Sequence, residues 1–126
     1  MANRRGEDRK RSLAFLSGLD AERFALFVMV MKGYWPMARR YLSRAGEIDL
    51  IMRRGRTIVA VEVKARPTLA AAQETLTPDK LRRIRAALAS FRAERQLDDR
   101  YVFRCDAVFV APGHWPLHVV NAGSID

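Results

Sequence analysis

Two β-type runs, at 47–53 and 56–64, flank the dipeptide Arg54-Gly55 and read EIDLIMR and RTIVAVEVK. A glycine between two such runs predicts a tight hairpin. Successive strand residues point to opposite faces, so the register decides which side chains meet. With Arg54 and Gly55 as the loop, Ile48, Leu50 and Met52 share a core face with Val59, Val61 and Val63. The other face carries Glu47, Asp49 and Ile51 together with Ile58, Ala60, Glu62 and Lys64. Arg53 is then opposed to Arg56, Glu47 to Glu62 and Asp49 to Ala60. Asp49 becomes a diagonal neighbour of Glu62, roughly 7–8 Å away at Cα.

Facing carboxylates repel, and sheet packing gives no reason for them. A hard divalent cation such as Mg²⁺ does use carboxylate oxygens. It can acidify a bound water and neutralise charge that builds on a phosphate. Lys64 lies two residues beyond Glu62 on the same face, where an ammonium can orient that water or steady the developing charge. The arrangement suits phosphodiester hydrolysis. A lone E-x-K in a strand usually marks only a solvated face. The longer pattern here, G-E-I-D-L-I, turn, V-E-V-K-A-R, is far more specific.

The charge balance points the same way. Residues 1–66 hold 15 Lys+Arg against 7 Asp+Glu, while residues 67–126 hold 8 against 7. A basic half of this kind suggests a polyanionic partner, nucleic acid first and an anionic membrane second. Cys105 is the one cysteine, which excludes an intramolecular disulfide and a cysteine-based zinc site. It sits in an apolar run, as a small buried hydrophobe does. His114 and His118 are the only histidines, too few for a histidine-rich metal site. The longest apolar run, Phe24 to Met31, has eight residues, far short of a membrane span. Ser12 to Leu16 is too short for the apolar core of a signal peptide, so the expected address is cytoplasmic, without a membrane partner.

A chain of 126 residues predicts one domain, here 8–126, preceded by a mobile basic arm at 1–7. A helix is expected from the arm to Lys32, capped by Gly33 and bent or interrupted at Gly18, with Asp20 available to restart it. Its Phe24–Met31 part is apolar on all sides and predicts sheet on one flank and further structure on the other; a buried strand competes for these residues. Residues 34–42 predict a strand that Pro36 confines to an edge or an irregular start. The alanine-rich stretch within 67–76 reads as a helical turn or a loop. Thr77 and Pro78 then open a helix whose apolar face is Leu81, Ile84, Leu88 and Phe91. Residues 101–111 and 117–120 predict the last strands, giving a mixed α/β domain.

From about Gly18 to Asn121, and most strongly over 46–66, the chain resembles the YraN family. That family is similar to the PD-(D/E)XK nuclease superfamily and, within it, to Holliday-junction resolvases. The resemblance implies a restriction-endonuclease-like mixed β-sheet with an antiparallel hairpin core flanked by helices. It implies catalytic roles for Asp49, Glu62 and Lys64, and it places Glu22 of GLDAERFAL at the position of a further catalytic glutamate. Asp49, Glu62 and Glu22 would hold Mg²⁺ or Mn²⁺, with Glu47 in support. Without the resemblance, Glu22 reads as a solvated acid at a helix start. Lys80 is a candidate phosphate contact or a solvent-facing lysine.

The leading expectation is a metal-dependent endonuclease acting on DNA, with branched structures as its implied substrate. Arg39, Arg40, Arg44, Arg53, Arg54 and Arg56 would supply phosphate contacts near the site, and such contacts position without reading sequence. RNA stays open as a partner. A homodimer follows if both strands of a branched substrate must be cut. The alternative is a non-catalytic nucleic-acid-binding module on a nuclease-like fold.

Overall fold

A computed structural model describes residues 19–122, so the arm at 1–7, the helix before Leu19 and the bend at Gly18 lie outside the described residues. Leu19–Met31 forms a helix, α1, and excludes the strand reading of Phe24–Met31. Its small residues Ala21 and Ala25, with Val28 and Met29, are buried, which lets the helix approach the sheet closely. The opposite side of α1 stays open among the described residues: Phe27 is 56% and Met31 65% exposed, and Phe24 has an edge-on neighbour in Trp115. Gly33, at φ +91°, ends the helix as expected. The Tyr34 N–H then reaches back to the Met29 carbonyl at 3.1 Å, closing a Schellman-type cap.

The sheet has five strands in the order β1 (Trp35–Leu42), β2 (Glu47–Arg54), β3 (Thr57–Ala65), β4 (Val102–Val110) and β5 (Leu117–Val119). β3 and β4 are parallel and the other neighbours antiparallel, so the sheet is mixed. Pro36 lies on the edge strand β1, where its missing N–H costs no ladder bond. The β3–β4 crossover carries two helices, α2 (Leu69–Glu74) and α3 (Pro78–Glu94). The alanine-rich stretch is therefore a helical turn, capped by Thr68. At α3 the Thr77 side chain accepts from the Lys80 N–H and Pro78 takes the first turn, as the sequence predicts.

Alternation along β2 and β3 splits the core into two layers. Leu50, Met52, Val59, Val61 and Val63 pack with Ala21, Ala25 and Met29 of α1. Ile51, Ile58 and Ala60 pack with Ile84, Leu88 and Phe91 of α3. A mixed sheet flanked by helices results. No described helix is long and apolar enough to cross a membrane.

The hairpin differs from expectation in two respects. Arg54 pairs with Thr57, so the loop is Gly55-Arg56 rather than Arg54-Gly55, and Arg53 faces Ile58 rather than Arg56. A two-residue turn of the primed type needs a positive φ at its first loop position, and Gly55 supplies +60° without a Cβ clash. The slip is two residues, so the faces keep their composition. Ala60, however, is opposed to Ile51, and Asp49 and Glu62 follow directly after the last pair, Leu50 with Val61. Second, Ile48 joins the cluster under α3 instead of the layer of Leu50 and Met52. The break coincides with Arg40, whose φ of +51° interrupts β1 between the residues that pair with Ile48 and Leu50.

Candidate functional site

Beyond the Leu50–Val61 pair the β2–β3 ladder stops, and a side chain takes over the hydrogen bonding. The Val63 N–H donates to Asp49 Oδ2 at 2.8 Å. The carboxylate is thereby fixed at the mouth of a gap between the two strands. Glu22 projects towards it from the sheet-facing side of α1, next to Ala21, and is 9% exposed. Its Oε2 accepts from Arg40 Nε at 3.1 Å. Glu62 on β3 is 4% exposed, and its Oε1 lies 3.1 Å from Lys80 Nζ and 3.5 Å from Lys64 Nζ. Lys80 reaches this point because the Thr77 cap directs the first turn of α3 at the end of β3.

Glu22, Asp49 and Lys64 line one cavity of about 210 Å³ with Ala21, Val63, Ala65 and Arg66. A neighbouring recess of about 280 Å³ is lined by Glu22, Arg23, Arg39 and Arg40. Glu22 thus belongs to both. A third cavity, of about 250 Å³ beside α3 and β4, is lined by Arg85, Leu88, Ala89, Phe103 and Cys105 among others and has no carboxylate. Burial pushes the Cys105 thiol up, in keeping with a packed rather than a reactive cysteine.

The electrostatics follow from this crowding. Burial, and then the charge of Glu62, push Asp49 up to about 7. The Val63 N–H and Lys64 oppose that rise, and the charge of Glu22 adds to it. Burial lowers Lys64, and its contact with Lys80 lowers it further. Lys80 is held above the usual lysine value: burial works against its charge, but Lys64 and Glu62 outweigh it. One ammonium of the pair therefore keeps its proton firmly while the other gives it up more readily.

A stability consequence follows. Asp49 binds its proton more tightly folded than unfolded, so stability falls as pH rises from about 4 to about 7 and is then level. Asp49→Asn keeps the acceptor for Val63 and removes the charge. We expect its Tm to exceed that of the wild type by about 4–8 °C at pH 8, the shift that ~1 kcal/mol produces in a small domain. At pH 3, below both the unfolded and the folded Asp49 values, the side chain is neutral in either state and the two melting curves should coincide. Equal offsets at both pH values in a calorimetric scan would refute this electrostatic account.

Asp49, Glu62, Lys64, Glu22 and Lys80 come together, with Arg40 and Arg39 at the edge. Glu47 pairs with Leu42 of β1 and is exposed, away from Glu62, which it was expected to face. Arg44 lies in the exposed turn between β1 and β2. Arg53, Arg54 and Arg56 sit at the hairpin tip, about 13 Å or more along the strand from Asp49 at ~3.3 Å per residue. There Arg53 donates to the Gly55 carbonyl and lies over the Tyr101 ring, while Arg54 lies over Tyr34. These three arginines are not brought to the carboxylates.

Two features escape sequence reasoning. Arg66 lines the cavity, and its only signal is its place at the end of V-E-V-K-A-R. A second polar cluster is buried between β4, β5 and the end of α1. Asp106, 2% exposed, accepts from Arg104 Nε and Nη2 at 2.7 and 2.8 Å and from the Asn121 N–H at 2.9 Å. His118 Nε2 stands 2.7 Å from the same carboxylate, and Arg104 also donates to Tyr34 Oη at 2.6 Å. No sequence pattern links these residues.

A family model described as Uncharacterised protein family UPF0102 matches residues 21–110, a span from the Glu22 turn through β4. The chain belongs to the UPF0102 family. It is 51% identical over 108 residues to a UPF0102 protein of Methylorubrum populi, covering 86% of each chain. It is 46% identical over 118 residues to one of Methylobacterium nodulans, covering 94% of this chain and 92% of the relative. A UPF0102 protein of Brucella abortus is 50% identical over 111 residues, with 87% of each covered. Membership agrees with the YraN resemblance of the hairpin. The span matched in this UPF0102 chain contains residues 46–66, where that resemblance is strongest, and also Glu22.

Proposed function

We propose that this chain is a divalent-metal-dependent endonuclease that hydrolyses DNA phosphodiester bonds, with branched DNA as its substrate class. The observation that carries the reading is that Glu22, Asp49 and Lys64 line one cavity, with Glu62 held beside it by Lys64 and Lys80. A hairpin next to a parallel strand pair, with an acid-bearing helix across it, supports a restriction-endonuclease-like fold of the PD-(D/E)XK kind. The donor set suits Mg²⁺ or Mn²⁺, since it consists of carboxylate oxygens without thiolate or imidazole. Asp49, Glu62 and Glu22 would hold the ion. When bound, such an ion acidifies a coordinated water and offsets charge on the phosphate.

The chain's own groups divide the remaining work. Lys64 Nζ orients the attacking water and steadies the charge that develops on the phosphate. Lys80 stays charged and neutralises Glu62. Arg39 and Arg40 contact phosphates from the neighbouring recess. Cutting both strands of a branch would engage two copies of the chain.

A second reading, a nucleic-acid-binding module without catalysis, draws on a specific observation. Each carboxylate already has a partner within the chain: Arg40 for Glu22, the Val63 N–H for Asp49, and two lysines for Glu62. Among the described residues no three His, Cys, Asp or Glu side chains form a group placed to hold a metal ion. Cleavage of labelled four-way junction, flap, single-stranded and duplex DNA separates the two readings. We expect cuts with Mg²⁺ or Mn²⁺ that cease in EDTA and are strongest on the branched members. Binding without cutting in either metal would establish the module.

A further inference from the structure

We propose that Arg66 forms a phosphate subsite at the cavity, a contact additional to those of Arg39 and Arg40. The inference rests on the DNA-binding part of the reading above, which both functional alternatives share. Its basis is a difference among the cations around the carboxylates. Arg40 is committed to Glu22, and Lys64 and Lys80 are committed to Glu62. Lys64 and Arg66 are the two cations that line the cavity itself. Of these, Arg66 alone has no carboxylate within 4.0 Å among the described residues.

The backbone holds this arginine in place. Its N–H donates to the Val110 carbonyl at 3.0 Å, which ties the end of β3 to β4. Pro67 follows, and the residue before a proline is confined to an extended backbone. One guanidinium nitrogen, Nη1, donates to the Ala65 carbonyl at 2.7 Å. The other donors of the fork remain for an anion, and the side chain is exposed. A phosphodiester entering beside Asp49 meets carboxylates whose nearest cations, Arg40, Lys64 and Lys80, are already engaged by them. It needs a countercharge that is not already neutralised, and Arg66 supplies one. Arg39, which also lacks a carboxylate partner among the described residues, lies on the far side of Glu22. The two arginines therefore flank the acidic cluster, and a strand running between them places a phosphate over the cavity.

The test is equilibrium binding of a four-way junction and a duplex in EDTA, where no cleavage occurs, over a series of salt concentrations. Wild type, Arg66→Ala, Arg66→Lys and Arg40→Ala would be compared after melting curves have shown each to be folded. Loss of one phosphate contact lowers the slope of log K against log[salt] by about 0.9. We expect that loss for Arg66→Ala, with about tenfold weaker binding at low salt, and a slope close to wild type for Arg66→Lys. A merely structural role would leave the slope unchanged. An unaltered slope in Arg66→Ala, beside a wild type that binds with a steep salt dependence, overturns the subsite and leaves the DNA reading standing. A wild type that shows no salt-dependent affinity for either DNA removes both.

Discussion

Asp49→Ala and Lys64→Ala proteins will bind branched DNA and fail to cut it, with rates lowered by at least about 10²–10³-fold, the effect of removing one preorganised charge from a reacting centre. Asp49 is fixed by the Val63 N–H and shares its cavity with Glu22, so alanine removes an oxygen donor that neither neighbour can replace. Lys64 sits 3.5 Å from Glu62, and burial has already weakened its hold on a proton. Alanine leaves the other ammonium, Lys80, in place but removes the one that lines the cavity beside Asp49. Binding should respond differently in the two variants. Asp49→Ala deletes a negative charge and should bind at least as tightly as the wild type, while Lys64→Ala deletes a countercharge and should bind slightly less well. Single-turnover cleavage beside filter or anisotropy binding distinguishes these effects. Cutting by either variant at the wild-type rate would sink the assignment of the hairpin as the reacting centre.

Asp106→Ala will cost about 3–5 kcal/mol of folding stability, the range found when one partner of a buried ion pair is removed. The carboxylate is the shared acceptor for Arg104, His118 and the Asn121 N–H. Its removal strands the Arg104 guanidinium, whose pKa is raised by its hydrogen bond to Asp106, with Tyr34 Oη as its one remaining partner of the cluster. It also removes the Asn121 bond to β4, leaving the Ala122 N–H on the Cys105 carbonyl to hold the segment after β5. Burial pushes the Asp106 pKa up, but hydrogen bonds from His118 and Arg104 outweigh it and leave it below its ordinary value. The stabilisation is therefore complete above the unfolded carboxyl value near pH 4 and is lost as pH falls through the folded one. Urea denaturation of wild type, Asp106→Ala and Asp106→Asn at pH 7 measures the effect. Asparagine keeps part of the bonding and should lie between the other two. A loss of under ~1 kcal/mol in the alanine variant would show that the cluster is not a clamp.

These two sites differ sharply in how far the chain announced them. The hairpin was legible because parity in a strand is a local property. A loop misplaced by one position on each side shifts the register by two, and two residues restore the face. Glu62 and Lys64 therefore stayed together although the assumed pairing was wrong, and the Val63 N–H holds Asp49 in the cavity with Lys64. The α3 start was legible for a similar reason, since Thr77 and Pro78 act within one turn. Ile48 was misread because Arg40, on the neighbouring strand, interrupts the regular alternation with its left-handed backbone. The basic residues at the hairpin tip were grouped with the site because they are close in sequence, yet strand length carries them away from it.

By itself, then, the amino-acid order determined the mixed α/β make-up, the Thr77–Pro78 start of α3 and the two-faced hairpin that carries Asp49, Glu62 and Lys64. Each depends on dihedral preferences or on a period of two or 3.6 residues, which act over a few positions. Tertiary structure alone decided that Arg40 holds Glu22, that Lys80 joins Lys64 on Glu62, that Arg66 enters the cavity without a carboxylate partner among the described residues, and that Asp106 gathers Arg104, His118 and Asn121. Those relations join segments far apart along the chain. Their distances are set by where the β3–β4 crossover places α3 and by how closely two alanines let α1 approach the sheet. No local preference encodes either.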